Sequence, residues 1–236
     1  MVSVRRAGEA ESAIRRAVVH KVQSCNNFGM PPSDDLSLRE RKKLETWALI
    51  HDAAAELALD EDTTCVTVEA IASEAGVSQR TFFNYFPTKE DAILGVRAPA
   101  APELPEGFLD GGDLLRRTTE LLLDVSRSGY ADRDVERRGR LFAKYPNLLV
   151  RRRELSLQCE DLVQQALAEA MAVHPEWSRG LHGHGVEDTA RMLTTAAGVP
   201  LRYAVMAQGP LPSGQLEPET VRDAIELFQD LYGKLS

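Results

Sequence analysis

Apolar residues along most of this chain recur at intervals of three and four, the period of an amphipathic helix, and nowhere alternate as a half-buried strand would. Over residues 38–58, Leu44, Trp47, Ala48, Ala54, Ala55 and Ala58 share one helical face. After a polar break at residues 60–64, Thr67 can cap a short helix that buries Ile71, Ala72 and Ala75 and stops at Gly76. Ser78 can cap a third helix over residues 79–85, closed by Pro87 because proline disfavours helical geometry in the residue before it. Thr88 starts a fourth, with the Asp91 carboxylate three residues on from its hydroxyl, ahead of Ala92, Ile93, Leu94 and Val96.

Residues 98–112 hold three prolines and three glycines and form no regular helix. Beyond them the helical period returns over residues 114–125, 135–144, 147–171, 186–206 and 219–235. The fold class is therefore all-α. The expected organisation is an N-terminal extension over 1–35, a three-helix helix-turn-helix domain over 36–97, a linker over 98–112 and a helical body over 113–236.

Composition narrows this. With 236 residues, 43% hydrophobic and 27% charged, the chain can bury one large core or two modest ones, which excludes a disordered or collagenous protein. The net charge of -8 argues against indiscriminate binding to polyanions, so any nucleic-acid contact must be local. Cys25, Cys65 and Cys159 are odd in number and widely spaced, which suggests neither a disulfide framework nor a zinc site; a reducing cytoplasm is the expected location. No apolar run approaches the roughly 20 residues of a membrane span. Residues 1–33 carry five basic and two acidic groups, against 23 and 34 in the rest, and the composition breaks at Met30-Pro31-Pro32. This first segment reads as a disordered or weakly helical extension, with Met30 as a candidate start and a DNA-contacting arm as the alternative.

The chemistry concentrates in residues 67–93, TVEAIASEAGVSQRTFFNYFPTKEDAI. Gly76 permits a left-handed turn, Val77 plugs the angle between two short helices, and Ile71, Ala72, Ala75 and Phe82 hold them together. The second helix is then free to enter a major groove, its first turn, residues 78–81, meeting base edges and phosphates. Gln79 and Arg80 have the bidentate capacity suited to adenine and guanine.

This string closely resembles the TetR (tetracycline-repressor-like) family of transcriptional regulators, over about residues 38–97. The resemblance implies a ligand-responsive regulator, with phosphate contacts from Thr67, Ser78, Thr81, Tyr85 and Lys89 and base reading by Gln79, Arg80 and Asn84. Where many members carry a phosphate-binding tyrosine this chain has Phe83, whose ring could instead pack on sugar or a thymine methyl. A basic arm at the start of the first helix is also implied, and Arg39, Lys42 and Lys43 belong to it, together with Arg41 and against Glu40. Residues 36–97 nevertheless hold seven basic and eleven acidic groups, so long-range steering toward DNA should be poor.

In the body, Arg152 interrupts the apolar stripe Leu148, Leu155, Cys159, Leu162, Val163 and Ala166 and needs either a carboxylate partner, the end of the helix, or an anionic effector. The helix over 186–206 is apolar nearly all round: Leu193, Ala196, Ala197, Leu201 and Ala204 on one side, Met192, Val199, Tyr203 and Met206 on another. Leu193, Ala197, Leu201 and Ala204, with Val221, Ile225 and Phe228 of the last helix, are the expected homodimer interface, as two helices supply it in the resembling family. Arg137, Arg138, Arg140 and Arg151–Arg153 read as solvated helix faces. His182 and His184 lie in a glycine-flanked loop without further ligands at metal spacing, so neither a metal nor a cofactor is expected.

No hydrolase elbow, phosphate-binding loop or zinc-protease helix is present, and an enzyme is not expected. The expected function is a repressor that binds a palindromic double-stranded DNA operator as a homodimer and is released by an unknown small-molecule effector, with no membrane partner. The alternative is a helical interaction module that has lost specific DNA binding.

Overall fold

Several helix starts in this protein coincide with a side chain that satisfies a backbone amide exposed there. The computed structural model describes residues 37–60, 65–130, 135–207, 216 and 218–235. The expected extension over 1–35, Cys25 included, lies outside these. Among the described residues the elements are α1 (Leu38–Leu59), α2 (Val68–Glu74), α3 (Gln79–Tyr85), α4 (Lys89–Leu94), α5 (Leu114–Ser128), α6 (Val135–Lys144), α7 (Asn147–Val173), α8 (Val186–Ala207) and α9 (Pro218–Leu235). Among them the only β-pairings are isolated bridges, Val96 with Tyr130 and Leu181 with His184.

The chain forms two compact units, residues 1–47 and 48–236. In the first, Ser37 opens α1 with a reciprocal cap: its amide and hydroxyl donate to Glu40 Oε2 at 2.9 and 2.6 Å, and Glu40 N–H donates back to Ser37 Oγ at 3.2 Å. These bonds favour the ionised form of the Glu40 carboxyl and hold it below its ordinary range.

In the second unit, Ile50, Ala54, Ala55 and Ala58 of α1 are buried, as are Ile71, Ala72, Phe82, Phe86 and residues 92–94. Small residues on α1 allow close packing, and the larger rings and isoleucines fill the space. Thr67, Ser78 and Thr88 each accept a bond from the amide three residues on, at 3.2, 3.1 and 3.1 Å, and so start α2, α3 and α4. Helix α4 ends at Gly95 in left-handed geometry, φ +64°. A side chain there would meet the ring of buried His51, whose Nδ1 lies 2.7 Å from Ala92 O.

Helices α5, α7 and α8 pack on one another, and α9 packs on α8. Their shared core contains Leu122, Val125, Cys159, Val163, Leu167, Met171, Ala190 and Ala197. Thr119 Oγ1 donates to Ala197 O at 3.1 Å, a contact possible only where α5 and α8 approach closely. Residues 98–112 contain no helix, yet Leu109 is buried in this core and Leu104 and Phe108 pack against it. The segment therefore follows the body along its apolar positions rather than hanging free.

Most residues of the stripe expected at a dimer interface lie in the protomer's own interior. Ala197 and Ala204 are fully buried, Val221 and Ile225 nearly so, and Leu193 and Leu201 pack against the chain's own cores, with Phe228 half-buried. Alanine permits close helix approach and serves the protomer's interior. The outward side is the other stripe: Met192, Val199, Tyr203 and Met206 on α8, with Leu227, Leu231, Tyr232 and Leu235 on α9.

Replacing Gly95 with alanine should cost about 1 kcal/mol or more, from the left-handed backbone and displacement of the His51 ring. A lowered urea midpoint with unchanged slope would register it.

Candidate nucleic-acid interface

The turn between α2 and α3 is compact because its own amides bond back to the last carbonyls of α2. Gly76 N–H donates to Ser73 O at 3.1 Å and Val77 N–H to Ala72 O at 2.9 Å. Gly76 takes φ +66°, and nothing lies within 4 Å of where its Cβ would stand, so glycine is needed there for conformation and not for space. Val77 is half-buried in the angle.

Helix α3 has two unlike sides. Phe82 is fully buried, edge-on to Phe83 at 5.4 Å and tilted against Phe86 at 6.0 Å. Ser78, Gln79, Arg80, Phe83 and Asn84 are exposed, while Thr81 and Tyr85 are half-buried at the margins. Pro87 forces Phe86 into extended geometry, φ -133°, and ends the helix after two turns. The outcome is a short helix anchored by one aromatic ring and offering polar side chains from its first turn.

Ser78 Oγ lies 2.9 Å from Thr81 Oγ1, so the two hydroxyls share one proton and leave another for an outside acceptor. Thr67, exposed at the start of α2, likewise keeps its hydroxyl proton after accepting from Ala70 N–H. Lys89 is half-buried and its Nζ donates to Val66 O at 2.9 Å, which ties α4 to the start of α2 and leaves two ammonium protons for a phosphate. Arg39, Lys42 and Lys43 are exposed on the first turns of α1, in the other compact unit.

Sequence reasoning missed how this region is fastened to the body. Asp91 is buried and accepts from Thr88 Oγ1 and from Arg151 Nε of α7, both at 2.7 Å. This bond, ahead of partial burial, holds the Arg151 guanidinium above its ordinary range. Arg137 of α6 pairs with Asp52 of α1 at 3.1 Å, and Lys144 Nζ donates to Asp60 O. Arg97 N–H donates to Gly129 O at 2.8 Å beside the Val96–Tyr130 bridge. The arginine runs are thus not simply solvated faces: Arg137 and Arg151 are ion-paired and Arg138 is buried, while Arg140 and Arg153 are exposed. Consecutive arginines gave no signal of which would turn inward, because that depends on the neighbouring helices.

Arg152 is half-buried with its guanidinium 5.6 Å from the centre of the Phe142 ring. Burial pushes it below its ordinary range, the nearby Tyr130 opposing this. A carboxylate partner is not what it finds among the described residues. Its neighbour Arg138 stands 5.2 Å over the Tyr130 ring.

Residues 50–94, the stretch containing α2, α3, α4 and the buried part of α1, match the family described as bacterial regulatory proteins, tetR family. Over that stretch the chain is similar to the tetR family. The match ends at Leu94, the last residue of α4, so the family signal coincides with the unit whose exposed helix has just been described. No curated protein matches the chain. The matched stretch, built on a helix-turn-helix, supports a DNA-binding transcriptional regulator, and among the described residues no helix is long and apolar enough to cross a membrane.

Removal of the Arg80 side chain by alanine should lower affinity for specific DNA by about 1 to 3 kcal/mol, the value of one bidentate base contact, with the thermal midpoint unchanged. Asp91→Ala should instead lower stability by about 1 to 3 kcal/mol, since it removes the bonds to Thr88 and Arg151 and leaves Arg151 only its pair with Glu154. Denaturant titration and fluorescence anisotropy together separate the two effects.

Proposed function

We propose that this protein is a tetR-family repressor that binds a palindromic operator as a homodimer and leaves it when a small molecule occupies the helical body. The observation that carries the reading is α3: Gln79, Arg80 and Asn84 exposed on one side, with Phe82 wholly buried on the other. Gln79, Arg80 and Asn84 read bases, while Thr67, Ser78, Thr81, Tyr85 and Lys89 hold phosphates; Arg39, Lys42 and Lys43 of the first unit are further, separate DNA contacts. Residues 36–97 act as the reading head and 113–236 as the effector and dimer body, with 98–112 between them.

Homodimerisation is supported by the outward apolar stripe of α8 and α9, where Met192 is 71% and Met206 78% exposed, more than a monomer's surface usually gathers in one place. A second copy is the natural occupant, since α8 and α9 are adjacent and a two-fold axis would bury the same stripe from both protomers. Two α3 helices would then face successive major grooves about one helical turn apart, roughly 34 Å.

Release is supported by the fastenings between head and body. Each α4 is held by Arg151 of α7, so a ligand that moves α7 also moves the head, and a typical coupling of about 1 to 3 kcal/mol suffices to change operator affinity. The acidic balance of residues 36–97 favours short-range contacts over steering.

The test is anisotropy with DNA from upstream of the protein's own gene. Binding is expected to weaken by about 1 to 3 kcal/mol in Arg80→Ala and to fall with salt by only a few counterions per protomer. Binding indifferent to that substitution would favour a helical interaction module without sequence-specific contacts. Met206→Asp should convert the dimer to a monomer in sedimentation and weaken operator binding at least tenfold, about 1.4 kcal/mol.

A further inference from the structure

One apolar ring stands among the polar side chains on the outward side of α3. Phe83 is 55% exposed, while Phe82 beside it is wholly buried. It follows Gln79 by four residues and Arg80 by three, so it shares their side of the helix one turn further on, next to exposed Asn84. That side therefore offers Gln79, Arg80 and Asn84, which can hydrogen-bond, and one ring that cannot.

The ring is also braced. It meets Phe82 edge-on, centroids 5.4 Å apart and planes at 89°, and Phe82 is itself fixed in the interior against Phe86. A side chain held by a buried neighbour has less freedom to lose when a partner arrives. A solitary exposed ring is ordinary on a protein surface, but on the side of α3 that faces a groove its possible neighbours are few. Phosphate oxygens and the polar base edges would give up water to a ring that returns no hydrogen bond. The major-groove edge also bears one apolar group, the C5 methyl of thymine, and a contact with it removes apolar surface from water on both partners.

We infer that Phe83 is a specificity-determining residue of the operator contact, selecting a thymine by its 5-methyl group beside the base pairs reached by Gln79 and Arg80. The inference rests on the reading of α3 as the base-contacting helix and adds a requirement on the DNA. One helical turn, about 5.4 Å, separates Phe83 from Gln79 and Arg80, so the selected thymine lies about one to two base-pair steps from theirs, at the same place in each half-site.

The test uses the full chain and DNA from upstream of its own gene, made either with thymine or with deoxyuridine, which differ in that methyl alone. In fluorescence anisotropy the parent should bind the uracil duplex more weakly, by about fourfold for each methyl covered, the value of one buried apolar carbon. Restoring thymines one at a time should recover the affinity at a single position of each half-site. Phe83→Ala should bind the two duplexes alike, and Phe83→Leu, apolar but smaller, should keep part of the preference. Arg80→Ala should weaken both duplexes and leave their ratio as in the parent, so that a general loss of DNA contact is told apart from loss of the methyl contact. With Phe83 largely outside the core, each variant should melt near the parent's temperature by circular dichroism. Equal affinity of the parent for both duplexes, or a thymine preference that survives Phe83→Ala, would overturn the assignment while leaving α3 as the DNA-contacting helix. Failure of the parent to bind either duplex in preference to unrelated DNA would overturn both readings together.

Discussion

The arrangement depends first on one buried carboxylate. Asp91 stands in the first turn of α4, where its amide donates to the Thr88 cap and its oxygens take the Thr88 hydroxyl and the Arg151 guanidinium. A carboxylate so placed is costly unless every lone pair finds a donor. Here the helix cap and the body each provide one, and the same residue that completes the cap of α4 also locates α7. Local capping and tertiary docking are therefore a single structure.

From that anchor the recognition surface follows by subtraction. Phe82 and Phe86 are used up in the interior, Gly76 turns the chain, and Pro87 ends α3 after two turns. What remains on α3 is polar and outward, apart from Phe83, which is 55% exposed. A helix this short has little stability of its own, so its rigidity comes from the buried ring and the Ser78 cap rather than from helical propensity.

The body obeys a different constraint. Helix α8 carries apolar residues on both sides, and packing settles which side belongs to the protomer: alanines where helices approach most closely, methionine, valine and tyrosine where they do not. The same logic explains the arginines. Adjacent positions on α7 point into different surroundings, so Arg151 meets a buried carboxylate, Arg152 a phenylalanine ring and Arg153 solvent.

What the amino-acid order determines by itself is everything that local rules control. The caps at Thr67, Ser78 and Thr88, the breaks at Gly76 and Pro87, the helical period and the motif over residues 67–93 all act within a few residues, and the helices fall where those signals put them. Only the folded chain decides which of two apolar stripes faces inward, which arginine of a run finds a carboxylate, and that the proline-rich segment lies on the core through Leu109. The physical reason is range: hydrogen-bonded caps and backbone torsions are set by neighbours in sequence, whereas burial and ion pairing are set by whichever helix arrives from elsewhere in the chain, as Arg151 reaches Asp91 across 60 positions.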